Sequence, residues 1–284
     1  MRPAKFEYFA PTDLEEAARM LASGDGGGRI LAGGQSLMPA LNLRLAKPDF
    51  VVDLSRVPGL SEITVEADRV RMGAMVTHAD IVASEALHAR LPVFRMAGMH
   101  IAHSTIREHG TIGGSLALAD PASEWPAILV LLRGRVRATS VRGERWIEAD
   151  AFIVSFYTTA LEPDEILTQV EFPLPAAKVR YAFEEFSRQH GAFAIALVAV
   201  AATVKPDGSV GAMEVVVGGC ASRPARLGFP ALPEADQIRG RVDAAFDAAG
   251  LKPTTDIHAS SEDRRDIVAA LVRKCIARVS QAAG

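Results

Sequence analysis

Two glycine-paired stretches have the residue types and spacing best suited to chemistry. They are Leu31-Ala32-Gly33-Gly34-Gln35-Ser36-Leu37 and Gly110-Thr111-Ile112-Gly113-Gly114-Ser115-Leu116-Ala117. In the first, a short apolar strand breaks at two glycines and gives way to a helix. Glycine reaches positive φ and lets the backbone approach a ligand closely, so that successive N–H groups converge on one anion. Gln35 and Ser36 add side-chain donors, and Pro39 suits the first turn of the following helix. An ordinary strand-to-helix turn has the same composition. The stretch also lacks the lysine of a Walker loop and the spacing of a GxGxxG fingerprint. The second stretch pairs glycines with small hydroxyl donors and leads to Asp120-Pro121. Those two residues read as the cap and first position of a helix, which alone accounts for Asp120. Two such loops in one chain suggest one dinucleotide-type ligand, its diphosphate clamped from two sides.

Other constellations carry less. The seven histidines form no metal-spaced set with acids or thiols. His100 and His103 lie three apart on a helix-like stretch, without a third ligand. Ser36 and Ser115 lack the setting of a nucleophile elbow. Trp125 and Trp146 read as packing residues. The two cysteines, Cys220 and Cys275, are too few for a four-thiolate cluster and sit where free thiols pack as small apolar groups, which implies a reducing compartment. No catalytic residue and no metal ligand is assigned.

The elements that must position the loops follow from pattern. Residues 6–28 read as a short strand and a helix capped by Thr12, with Leu14, Ala17, Ala18 and Leu21 as its apolar stripe. A strand at residues 50–54, a strand–loop–helix from residue 70 to His88, and a helical rhythm through Val93–Ser104 come next. Strands and turns dominate up to Phe172. Beyond the prolines of residues 173–178, a long apolar strand, a turn at Pro206-Asp207-Gly208 and another strand suggest an antiparallel sheet. The chain then turns helical from Leu232 onward. Regular strand–helix alternation of a Rossmann sheet is missing, so the fold class is α+β. At 284 residues two domains are expected: 1–176, with lobes of about 1–57 and 58–176, and 177–284. A charge of −3 gives no electrostatic reason for nucleic acid, and no apolar run is long enough to span a bilayer. A signal peptide is not evident, and the cytoplasm is the expected location.

The stretches AGGQSLMPALNLRLAKPDFVVDL, GAMVTHADI and HIAHSTIREHGTIGGSLALADPASEWPA closely resemble the FAD-binding medium subunit of the molybdenum hydroxylases. This family includes the carbon monoxide, aldehyde, nicotine, quinoline and xanthine dehydrogenases. The resemblance extends over the whole chain through YAFEEFSRQHGAFAIALVAVA and VVVGGCASRPARL. It implies a two-lobed FAD domain of the vanillyl-alcohol-oxidase (PCMH) type and a C-terminal α+β domain of antiparallel sheet and helices. It also implies non-covalent FAD, cradled by Leu31, Ala32, Gly33, Gly34, Gln35, Ser36 and Leu37 in the first loop and by Gly110, Thr111, Gly113, Gly114 and Ser115 in the second. Asp120 and Glu124 match a stretch that reaches the nucleotide part of FAD. Leu167 matches an apolar position near the ligand, and Thr77, His78 and Ile101 match pocket-lining positions. Read from the residues alone, Arg188 and His190, beside Gly191 and Phe193, are open to two readings: facing a flavin ring, or an ordinary polar loop before a buried strand.

By the same resemblance, a large subunit carries molybdopterin and substrate, a small subunit carries two [2Fe–2S] clusters, and the complex is a dimer of heterotrimers. This chain then relays electrons from the clusters through FAD to an external acceptor. A stand-alone flavoprotein oxidase of the same fold and a non-catalytic nucleotide-binding module are the alternatives. Departures from the family are Gln35 where a histidine is frequent, Gly191-Ala192-Phe193 where Gly-Asp-Phe is frequent, and Glu184-Glu185 where a lysine often lies near the flavin. Loss of that positive charge leaves a reduced, anionic flavin less stabilised.

Overall fold

The computed structural model describes residues 2–229, 233–234 and 236–281. Its first lobe alternates β1 (Glu7–Phe9), α1 (Leu14–Ala22), β2 (Gly28–Leu31), α2 (Leu37–Asn42) and β3 (Phe50–Asp53). The strands form a parallel sheet in the order β1-β3-β2. The strand–helix alternation here is local and too short to build a Rossmann sheet. Helix α1 buries Ala17, Ala18 and Leu21 against Phe50, Val52 and Leu54. Its cap is Asp13, which accepts from the Glu16 N–H at 2.7 Å, and not Thr12. Thr12 lies one residue earlier, where its N–H donates to the Glu16 carboxylate at 3.3 Å.

The second lobe runs through β4 (Ile63–Val65), β5 (Arg69–Gly73), α3 (His78–Ala83), α4 (Glu85–Arg90), α5 (Val93–Gly98), α6 (Ser104–Arg107), α7 (Ile112–Leu118) and α8 (Glu124–Leu131). It continues with β6 (Arg135–Ser140), β7 (Gly143–Glu148), α9 (Ala149–Phe152), β8 (Ile153–Ser155), β9 (Thr158–Thr159) and β10 (Ile166–Pro173). Five strands form an antiparallel sheet, β4-β5-β10-β6-β7, while β8 and β9 pair separately. The helical rhythm expected through Val93–Ser104 is interrupted: α5 stops at Gly98, Ala102 takes φ 40°, and α6 starts at Ser104.

The C-terminal unit is an antiparallel sheet, β11 (Val179–Ser187), β12 (Ala194–Val204), β13 (Val210–Gly218) and β14 (Ala225–Phe229), with α10 (Ile238–Ala248) and α11 (Ser261–Gln281). The Pro206-Asp207-Gly208 turn joins β12 to β13, with Gly208 at φ 83°. Of the helix expected from Leu232 onward, Leu232 and Ala235 lie outside the described residues, and the helix proper begins at Ile238. Because successive strand residues point to opposite faces, β11 divides its side chains between two cores. Tyr181 and Phe183 join Phe94, Trp125 and Leu129 of the second lobe, whereas Ala182 joins Val242, Phe246 and Val272 of the two C-terminal helices. One face of the C-terminal sheet thus shares a continuous core with the second lobe. Cys220 and Cys275 are both buried; Cys220 has its thiol pushed up to about 12 by burial, as expected of packing groups.

Candidate functional site

Both glycine motifs line a single cavity of about 830 Å³ between the two lobes. In the first, the chain leaves β2, turns through Gly34 at φ 71° and enters α2. Among the described residues, the N–H groups of Gly33, Gly34, Gln35 and Ser36 have no acceptor within the protein, while the Gln35 amide folds back to the Gly33 carbonyl at 3.1 Å. Four donors on one turn, beside a cavity, are what an anion requires.

The second motif is not the loop that its composition suggests. Thr111 caps α7, its hydroxyl accepting the Gly114 N–H at 3.1 Å, so Gly113 and Gly114 lie in the first turn of a helix. Both glycines answer to close packing. A Cβ on Gly113 would stand 2.6 Å from the Ala74 carbonyl oxygen, and one on Gly114 would stand 3.4 Å from the Ala32 Cβ. The second of these contacts brings the two motifs face to face. Gly110 accepts the His78 N–H at its carbonyl, which ties the start of α3 to the same segment.

Asp120 does not cap a helix, which corrects the reading from Asp120-Pro121. Helix α8 begins four residues later, at Glu124, with Ser123 at its cap position. Asp120 instead closes its own turn, accepting the Ala122 N–H at 2.9 Å, and its other oxygen accepts the Tyr157 hydroxyl at 3.3 Å. Freed from capping, it faces the cavity. Ser115 joins Ser123 hydroxyl to hydroxyl at 2.6 Å.

Of the residues expected at the site, Ala32, Gly33, Gly34, Gln35, Ser36, Leu37, Ile101, Gly110, Thr111, Gly113, Gly114, Ser115, Asp120, Glu124 and Leu167 all line this cavity. Leu31 and Thr77 do not. Leu31 belongs to β2, and Thr77 is spent on a capping box with Asp80 at the start of α3. His78, next to it, reaches the wall. Its ring is buried and accepts the Trp125 indole N–H on Nδ1 at 3.0 Å. Burial first, then the Arg107 charge, lowers its pKa to about 4, so it is neutral with its proton on Nε2. Trp125 is thus a packing residue with a satisfied polar edge.

Several wall residues carried no local signal in the sequence, among them Met75, Ile106, Tyr157, Leu161 and Glu165. Tyr157 takes φ 50° in the β8–β9 hairpin, a geometry that composition did not announce. The C-terminal unit supplies Gly191, Ala192 and Phe193. Gly191, at φ 79°, is packed so that a Cβ would lie 3.0 Å from the Ala102 carbonyl oxygen. Phe193, 74 % exposed, stands at the mouth. A second cavity of about 890 Å³ adjoins it, shares Asp120, Tyr157, Ala192 and Phe193, and includes Arg188. His190 lines neither. Among the described residues, no group of three or more His, Cys, Asp or Glu side chains is placed to hold a metal ion, and no helix is long and apolar enough to cross a membrane.

Residues 4–175 match the family described as the FAD binding domain in molybdopterin dehydrogenase, and residues 181–279 match the CO dehydrogenase flavoprotein C-terminal domain. The chain is 40 % identical to the nicotine 6-hydroxylase medium subunit of Paenarthrobacter nicotinovorans, over 97 % of this chain and 98 % of that one. Among solved structures it superposes on quinoline 2-oxidoreductase from Pseudomonas putida 86 with a TM-score of 0.91 and 32 % identity, covering 100 % and 99 % of the two chains. Carbon monoxide dehydrogenase from Hydrogenophaga pseudoflava gives a TM-score of 0.91 and 30 % identity over 99 % of each chain. With both family models, the fold and nearly the whole length in agreement, the chain belongs to the family of FAD-binding medium subunits of the molybdenum hydroxylases.

Proposed function

We propose that this chain is the electron-relay subunit of a cytoplasmic molybdenum hydroxylase, taking electrons from [2Fe–2S] clusters on a small subunit and passing them to an external acceptor. A large molybdopterin-binding subunit would carry the substrate, in a dimer of heterotrimers. The observation that carries the reading is the cavity walled by both glycine motifs, with the four acceptor-free N–H groups of residues 33–36 on its edge. Its volume of about 830 Å³ lies in the usual range for a cofactor site. The residues therefore fit FAD. The names of the relatives, medium subunits of multi-subunit dehydrogenases, support the same division of labour.

When bound, FAD would accept electrons singly and deliver them singly or in pairs. The chain's own residues bind and orient. The N–H groups of Gly33 to Ser36 would take the diphosphate, while the first turn of α7, whose Ile112, Gly113 and Gly114 N–H groups already have acceptors within the protein, would wall the site from the other side. Leu167 and Ile101 supply apolar wall, both buried. The neutral His78, held by Trp125, adds no charge of its own to the wall. Phe193 and Tyr157, shared by both cavities, would screen the ring from water where the two openings meet.

The test is anaerobic mixing of the purified, FAD-loaded chain with the organic substrate of the complex, followed at the flavin band. The expected result is no bleaching without partner subunits, and bleaching of cluster absorbance in a complex stripped of FAD. Rapid bleaching by the chain alone would replace this reading with a stand-alone oxidase.

A further inference from the structure

Ala102 holds a backbone conformation that its side chain disfavours, at a point where the second lobe meets the C-terminal unit. Its φ of 40° lies in the left-handed region, where the Cβ of an L-residue crowds the following carbonyl oxygen. A residue stays in such a conformation when its surroundings impose it. On one side of Ala102 lies Gly191, close enough that a Cβ on it would stand 3.0 Å from the Ala102 carbonyl oxygen and 3.1 Å from Cε1 of His103. On the other side lies Arg107, the last residue of α6. Its Nη1 donates to the Ile101 carbonyl at 2.8 Å and to the Ala102 carbonyl at 3.0 Å. Among the described residues, no backbone N–H donates to either carbonyl, and no carboxylate pairs with Arg107. The charge of this arginine is spent on the turn.

We propose that Arg107 is a positioning residue for the flavin: by gripping the Ile101 and Ala102 carbonyls it holds the left-handed turn against Gly191, and so fixes the spacing between two walls of the cavity. The proposal rests on the reading that this cavity holds FAD. Ile101, Ala102 and His103 line it from the second lobe, and Gly191, Ala192 and Phe193 line it from the C-terminal unit. Arg107 is not a lining residue; it acts from behind the wall. Each side brings one left-handed residue to the contact. Gly191, at φ 79°, adopts that conformation freely, whereas Ala102 does not, and Ala102 is the one that a cation holds. A hydrogen bond from an ionised donor is stronger than one between neutral groups, so the guanidinium can offset the bias of Ala102 toward negative φ. Without it, two carbonyls lose their donor, the turn relaxes, and the Ala102 oxygen leaves its place against Gly191.

The experiment titrates FAD into the FAD-free chain and reads the quenching of flavin fluorescence, then the absorption band of the flavin at saturation. Arg107→Gln should raise the FAD Kd about tenfold or more and move the band toward that of free FAD. Glycine takes the left-handed turn without strain, so in the Ala102→Gly background the same Arg107→Gln change should cost about threefold or less, with the band restored. A residue that merely stabilises the fold would not be relieved by adding a glycine. Wild-type Kd and band in Arg107→Gln, or a tenfold loss that persists in the Ala102→Gly background, overturns the proposal. If Arg107→Gln does not fold, the Ala102→Gly background should restore folding, and failure to do so overturns it too. If the wild-type chain binds no FAD, the cofactor reading fails. Amide hydrogen exchange in the FAD-free proteins then decides the clamp: Arg107→Gln should exchange faster at both residues 99–104 and residues 188–193, and unchanged exchange at 188–193 overturns it.

Discussion

A Cβ on Gly33 would stand 1.9 Å from the carbonyl oxygen of His109 and 2.9 Å from the Cα of Gly110, so the two glycine-rich segments touch backbone to backbone. This contact sets the spacing between the anion-facing turn and the start of α7. Gly33→Ala must push the segments apart, and neither partner atom belongs to a flexible side chain. We expect a loss of about 1–3 kcal/mol in stability, the usual cost of overpacking, together with depleted FAD. Thermal melting and the ratio of flavin to protein absorbance check both. A fully loaded, undiminished Gly33→Ala protein would falsify the contact.

Gly34 and Gly114 should each be sensitive, for different reasons. Gly34 sits at φ 71°, where a β-branched residue is strained by about 1–2 kcal/mol. Gly114 is helical, but its Cβ would lie 3.0 Å from Thr111 Oγ1 and 3.4 Å from Ala32 Cβ, so added bulk presses on the opposing motif. Gly34→Val and Gly114→Val should both lose flavin at least tenfold while keeping their circular dichroism, whereas Gly114→Ala should be milder. Normal flavin content in both folded valine variants would contradict the clamp.

The cofactor should be held without a covalent bond. Heating or acid precipitation is expected to leave the flavin in the supernatant with the mass of FAD, because two opposed motifs suit a diphosphate and a single phosphate needs only one. Flavin retained on the pellet, or recovered as FMN, would count against this.

His78 should make stability depend on pH. Its pKa is about 4 in the folded protein and near 6.5 when unfolded, because burial and then Arg107 disfavour the charged ring. The unfolded chain therefore takes up the proton first as pH falls. The contribution is complete above about pH 6.5 and declines toward about pH 4, by roughly 3 kcal/mol at most. His78→Gln can still accept the Trp125 N–H and does not titrate, so its urea midpoint should fall less than that of the wild type between about pH 7 and about pH 5. An identical decline in the two proteins would assign the effect to other groups.

What the sequence determined by itself was local: the strand breaking at Gly33-Gly34, the apolar stripe of α1, the Pro206-Asp207-Gly208 turn, and the family resemblance written in contiguous stretches. Such features depend on neighbours a few residues away, where backbone preference and period act. Misreadings came where two local solutions compete. Thr12 and Asp13 are both able to cap, as are Asp120 and Ser123, and tertiary position chose between them. The TIGGS segment reads as a loop because glycine is a poor helix former, yet close packing on Ala74 demands glycine at Gly113 and makes the segment a helix. Only the tertiary structure placed Tyr157 on Asp120 and Gly191 on Ala102. No local preference records such meetings, because they arise when the apolar faces of β11 and α8 are buried in one core and carry their polar neighbours with them.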